Sequence, residues 1–163
     1  MSSSSSKKRF STLNSTISAA QCPAGWDFVN GKCYQYISNL ANWNAAAANC
    51  MGLCSPPSTM CHLPRLYSEQ QGIELRDYAN LKGSSFPWID IKKIASDPTG
   101  MRVEDSNGCE YETAFWDAQN GQPAGTGDCA YIRASSGLWG DRSCDRMYPY
   151  ACETDERLSV PCP

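Results

Sequence analysis

What the chain lacks narrows its function first. No stretch is apolar for the roughly 18 to 20 residues that a membrane-spanning helix needs, so no membrane span is expected. A basic surplus is missing too. The formal net charge is −3 and charges of both signs are dispersed, which excludes the basic stripe of a nucleic-acid surface. Histidine occurs once, at His62, so any Ser-His-Asp or Cys-His mechanism must use that residue. No internal repeat is present. The opening MSSSSSKKRFSTLNSTISAA has no apolar core of signal-peptide length. Its serine run and Lys7-Lys8-Arg9 read as a disordered tail, residues 1–21. The sequon Asn14-Ser15-Thr16 within it is usable only if the protein is secreted.

Cysteine is abundant instead, with ten among 163 residues. An even, dense set indicates an oxidising compartment and a disulfide framework. The length suits one domain with tails. The stretch Cys129–Glu153 holds three cysteines and two short apolar runs, Ala130-Tyr131-Ile132 and Leu138-Trp139. The turn residues Ala134-Ser135-Ser136-Gly137 between them predict a hairpin. Neighbouring strands bring cysteines within bonding reach, so Cys129 and Cys144 are natural partners. Near the start, Asn30-Gly31 is a hairpin signal. Trp26, Phe28, Tyr34 and Tyr36 stand either side of it, and Cys22 and Cys33 flank it.

Helix signals are equally local. In NWNAAAANCM, four alanines favour helix, Asn42 can cap the start and Gly52 the end. Trp43, Ala47 and Cys50 share one face at helical spacing. A second helix starts with Ser68 as cap and Gln71 at the capping-box position. It carries Ile73, Leu75, Tyr78 and Leu81 on its apolar face and stops at Gly83. Between the helices, Pro56-Pro57 sets a loop. Trp88-Ile89-Asp90-Ile91 reads as a core strand whose Asp90 must be solvated or hydrogen-bonded. From Lys92 to Gly127 the chain is turn-rich with little periodicity, and in a compact domain such a loop is usually functional.

These pieces together resemble the C-type lectin-like domain in its long form. The resemblance rests on CPAGW…GKCY, HLPRLYSEQQ, Trp-Ile-Asp-Ile, and the closing Cys129, Gly137, Trp139, Asp141, Cys144, Tyr150, Cys152 and Glu153. It covers residues 22–154, leaving 155–163 as a C-terminal tail. It implies a disulfide-rich α+β fold of two helices, small antiparallel sheets and a long loop region that carries the ligand site. It also implies the bridge Cys50–Cys152, beside Cys22–Cys33 and Cys129–Cys144. The four cysteines left allow three pairings, of which Cys54 with Cys61, local and closing the Pro-Pro loop, is preferred. Cys109 and Cys162 then pair by elimination, or Cys162 bridges to another chain.

Sugar-binding members of that family hold Ca²⁺ with a Glu-Pro-Asn or Gln-Pro-Asp triplet, an acid before the next cysteine, and the Asn-Asp of Trp-Asn-Asp. Here the matching triplet is Gln122-Pro123-Ala124, with the proline cis in the family. Gly140 replaces the Asn, and Asp128 and Asp141 remain. Gln122, Asp128 and Asp141 are therefore a degenerate calcium site, against the 6–8 oxygens that Ca²⁺ requires. Weak or no calcium binding is expected, and no other cofactor. Asp141 either contacts metal or accepts hydrogen bonds from loop amides. Restoring ligands with Ala124→Asp and Gly140→Asn is expected to rebuild the site if the loop keeps the family's shape.

Other chemistry has less support. Cys61 beside His62 is conceivable as a thiol nucleophile, but Cys61 is better placed in a disulfide. A zinc set of Cys50, Cys54, Cys61 and His62 matches the usual spacings only in part. Trp116 and Trp139 can stack on a sugar or lie in the core, and the resemblance puts Trp139 in the core. The expected function is extracellular recognition without catalysis. The first reading is a secreted glycan-binding lectin with weak or absent calcium dependence. The alternative is a calcium-independent module for a protein or other surface using the same loop; an enzyme comes last. Tyr111, Glu112, Gln122, Asp128 and Asp141 are the candidate ligand-binding residues, and an oligomer is compatible with all of this.

Overall fold

The structure, a computed structural model, describes residues 22–55, 60–85, 87–154 and 162. The expected tails, 1–21 and 155–163, lie outside the described residues except for Cys162, as does Pro56-Pro57.

Strands β1 (Asp27–Val29) and β2 (Lys32–Ala41) turn at Asn30-Gly31. Both turn residues have positive φ, 42° and 90°, which suits the right-handed twist of a two-residue hairpin. The Cys22–Cys33 bridge closes beside it. Helix α1 (Trp43–Met51) starts where the Asn42 side chain accepts from the Ala45 N–H. Its buried residues are Trp43, Ala46 and Cys50, whereas Ala47, expected on that face, is only half-buried. Two anchors set the helix rotation: the Cys50–Cys152 bridge and the Trp43 indole N–H donated to the Ile89 carbonyl.

After β3 (Cys61–His62), helix α2 (Glu69–Leu81) is capped by Ser68, whose hydroxyl accepts from the Gln71 N–H. The Gln71 side chain reaches back to the Tyr67 N–H, one residue further than a capping box predicts. Gly72, Leu75, Tyr78 and Ala79 are buried, but Leu81 is 86% exposed. Leu81 lies six residues beyond Leu75, about one and two-thirds turns, which carries it off the buried face. A Cβ on Gly72 would stand 2.2 Å from the Gly137 carbonyl oxygen, so the helix meets the following hairpin backbone to backbone.

Strand β4 (Trp88–Lys93) pairs with the short β5 (Val103–Glu104) and with β6 (Cys129–Ile132), and β6 pairs with β7 (Trp139–Arg142). The last strand, β8 (Tyr148–Thr154), runs antiparallel to β2 and β3. The antiparallel sets that the sequence predicts are one sheet, β1-β2-β8-β4-β6-β7, because Trp88 pairs with Tyr150 in parallel. Strand β4 is therefore central and alternates between two cores. Ile89 and Ile91 join Leu66, Leu75 and Trp139 on one side, while Trp88 joins Trp43, Tyr131 and Tyr150 on the other.

All five disulfides expected from the sequence form, including Cys54–Cys61 and Cys109–Cys162. No helix among the described residues is long and apolar enough to cross a membrane.

Candidate functional site

The chain between β4 and β6 packs on a buried carboxylate. Asp141 sits mid-strand in β7, and its side chain is inaccessible to solvent. Its Oδ1 accepts from the Ala124 N–H at 2.8 Å, while the Thr126 hydroxyl donates to the Asp141 backbone carbonyl at 2.7 Å and lies 3.3 Å from Oδ1. Its Oδ2 accepts from the Lys93 ammonium at 2.8 Å, the Gly125 N–H at 2.8 Å and the Thr126 N–H at 3.1 Å. A carboxylate offers about four lone-pair sites, so these four N–H donors saturate it. Burial pushes the Asp141 carboxyl up, but the Lys93 contact and the amides outweigh it and hold the group below its usual range.

Gln122 is engaged in the same place. Its side-chain oxygen accepts from the Asp141 N–H at 3.1 Å, and the Gln122-Pro123 bond is cis. Asp128 is exposed at the loop's end, and its backbone carbonyl accepts from the Lys93 N–H. The structure thus brings Gln122 and Asp141 together around the loop backbone. Among the described residues, no cluster of three or more His, Cys, Asp or Glu is placed to hold a metal ion.

Gly140 shows what fills the family's missing Asn position. A Cβ there would stand 2.7 Å from the Tyr131 ring, which is buried in the second core. An Asn at 140 collides with that ring, so the Gly140→Asn restoration expected from the sequence is sterically blocked. Nothing in the spacing of Tyr131 and Gly140 along the chain reveals this. Their pairing across β6 and β7 does. Lys93 was likewise missed: in sequence it is one of two adjacent lysines that open the loop, Lys92 and Lys93, and only the fold directs it at Asp141.

The remaining candidates divide by exposure. Glu112 is exposed on the loop. Tyr111 turns inward. Its ring stacks on Tyr67 at 5.4 Å and meets Trp139 edge-on at 5.8 Å, and its hydroxyl is buried. Trp116 and Trp139 are also core, edge to face at 5.9 Å.

Below the loop, Asp90 is fully buried and takes the Arg65 Nε–H at 2.8 Å together with the Ser106 N–H and hydroxyl, each at 3.1 Å. Arg65 also faces Asp105 at 3.5 Å. Burial raises Asp90 to about 6 against the pull of Arg65, with Asp105 adding to the rise. This knot ties the loop to β4. Cys61 is bridged, and the buried His62 ring has Nδ1 2.7 Å from the Leu63 carbonyl. A thiolate–imidazole pair is therefore not assembled there, and the zinc set loses its cysteines to bridges.

Residues 39–154 match the family model described as the lectin C-type domain. The chain is 28% identical over 142 residues to a C-type lectin mannose-binding isoform of Notechis scutatus scutatus, covering 81% of this chain and 82% of that one. It spans 52%, 43% and 45% of the length of three mammalian relatives that it also matches. Among solved structures, the C-type lectin CEL-I from Cucumaria echinata superposes with a TM-score of 0.66 at 21% identity, over 83% of this chain and 98% of that one. A calcium-independent type II antifreeze protein superposes at 0.63 and 19% identity, over 82% and 93%.

Proposed function

The chain belongs to the C-type lectin domain family, and on that premise we propose that it is a secreted recognition module that binds glycans through the loop from Lys92 to Asp128 without calcium. The observation that carries this reading is the saturated Asp141 carboxylate. The Lys93 ammonium supplies, within the chain, the positive charge that a metal ion would otherwise bring. Calcium binding at that point would have to displace an ammonium and three backbone amides, and it would find Gln122 already committed. The loop keeps its shape through these bonds, so its exposed residues, Glu112 and Asp128 among them, are the proposed ligand contacts. Tyr111, Gln122 and Asp141 act from beneath, by holding that surface in place. The five bridges support an extracellular setting, where disulfides persist. That one neighbour of the same fold is described as calcium-independent is consistent with this reading.

A glycan array probed with and without chelator tests the proposal. Binding that survives chelation and weakens in Glu112→Ala supports it. Array binding that is abolished by chelator would return calcium to the site. Absence of glycan binding, together with capture of an extracellular protein through the same loop, would favour the alternative module.

A further inference from the structure

The opposite face of β6 and β7 carries a cluster that plays no part in the loop reading above. Tyr131 lies in β6, two residues before Arg133 and directly across from Gly140. Strand alternation puts Tyr131, Arg133 and Arg142 on one side of the sheet, because Arg142 pairs with Cys129. The two guanidiniums converge on one oxygen. Arg133 Nη1 and Arg142 Nη2 each donate to the Tyr131 hydroxyl at 3.3 Å. Arg142 also lies over the Tyr131 ring, its Cζ 5.0 Å from the centroid. Its Nε–H is buried and has no hydrogen-bond partner.

Two like charges held on a single neutral acceptor are poorly compensated. Arg133 has Asp117 as counter-ion, 2.9 Å from its Nε. Arg142 has none: no ion pair among the described residues includes it or the neighbouring Arg146. Arg146 is exposed on the turn before β8, its Cζ 5.8 Å from the centre of the Tyr148 ring, and that ring is 6.4 Å from Tyr131. Arginines thus sit along a pair of tyrosines with an unmet demand for negative charge. A planar guanidinium matches an oxyanion by paired hydrogen bonds, and the half-buried Tyr148 ring adds flat surface.

We propose that Arg142, with Arg133 and Arg146, forms a binding site for an oxyanion carried on an acidic glycan, a sulfate ester or a carboxylate. The site goes beyond the loop reading, since it uses none of the loop's residues. It lies beside the loop's end, because Gly127 packs against the Arg142 backbone so closely that a Cβ there would come within 2.0 Å. One extended saccharide can therefore touch both.

Calorimetric titration in chelator with a fully sulfated hexasaccharide, a carboxylate-only hexasaccharide and inorganic sulfate tests it. Binding of one or both saccharides, weakening as salt rises, is expected, and their ratio assigns sulfate or carboxylate as the group read. Losing a charge-assisted contact should weaken binding about tenfold in Arg142→Gln, with partial retention in Arg142→Lys. Arg146→Gln, at an exposed position, should weaken binding without altering the thermal midpoint, and it serves as the test if Arg142→Gln fails to fold. Arg76→Gln, at an arginine paired with Asp77 elsewhere, should have no effect. Unchanged affinity in a folded Arg142→Gln, an equal loss in Arg76→Gln, or equal binding of a poly-glutamate peptide would overturn the proposal. Loss in Glu112→Ala alone would place the saccharide on the loop instead.

Discussion

Asp141 and Gly140, adjacent in β7, decide opposite faces of the sheet. Removing one partner from a buried ion pair leaves an uncompensated charge and typically costs about 3–5 kcal/mol. Asp141→Ala strands Lys93, whose side chain is 12% exposed, and frees the amides of Ala124, Gly125 and Thr126. The melting point of Asp141→Ala should fall steeply and by the same amount in chelator and in about 1 mM calcium, the affinity range of the weakest extracellular calcium modules. A wild-type midpoint that rises several degrees with calcium, in a manner that Asp141→Ala abolishes, would contradict the ammonium-for-metal reading. Gly140→Asn should destabilise by about 1–3 kcal/mol through overpacking against Tyr131, and pairing it with Ala124→Asp should not create a calcium response. Thermal melts of the single and double variants check both statements.

At the scale of elements, α2 shows how burial sorts residues that look alike in sequence. Leu75 is fully buried in the first core, and Leu81 is exposed at the last turn. Leu75→Ala should cost about 2–5 kcal/mol, whereas Leu81→Ser should stay within roughly 0.5 kcal/mol of the parent. Urea midpoints at constant m-value would measure the difference, and equal losses would mean that Leu81 is covered in solution. The helix ends were legible because caps are local chemistry: Asn42, Ser68 and Gly83 act within a few residues of themselves. Which of the apolar residues between the caps turn inward depended on what α1 and α2 meet across space.

For the whole molecule, the pH response follows from two opposed sets of carboxylates. Asp90 is raised to about 6 from 3.8. Its folded form therefore takes up a proton before the unfolded chain does, and this stabilising contribution is complete below about pH 4 and lost as pH rises through 6. Asp97, lowered to about 2 first by the Arg102 amide and then by Thr99, behaves in reverse, as do Asp117 and Asp141, also held below their usual range. What they contribute is present above about pH 4 and lost as pH falls below it. The melting point should hold or rise from pH 7 to about 4.5, then drop. Asp90→Asn should remove the rise and leave the acid drop in place. A wild-type midpoint that falls steadily from pH 7 downward would show that Asp90 is not the controlling buried acid.

The sequence by itself determined the hairpin at Asn30-Gly31 and both helix starts, its resemblance to the family implied the fold class and the bridges Cys22–Cys33, Cys50–Cys152 and Cys129–Cys144, and the pairing of the other four cysteines stayed open, with Cys54–Cys61 preferred as local. Each of these rests on short-range rules or on a spaced pattern that survives in the order of residues. That resemblance also implied that the family's calcium ligands are missing at Ala124 and Gly140. Only the tertiary structure decided what stands in their place. Lys93 reaches Asp141 across 48 residues, and Tyr131 fills the space beside Gly140 because β6 and β7 pair in that register. It alone joined the sheets through Trp88 and Tyr150, turned Tyr111 inward and gathered Arg133 and Arg142 at one hydroxyl. Such contacts depend on where distant segments meet, and charge, size and spacing along a chain do not encode a meeting point until the strands have paired.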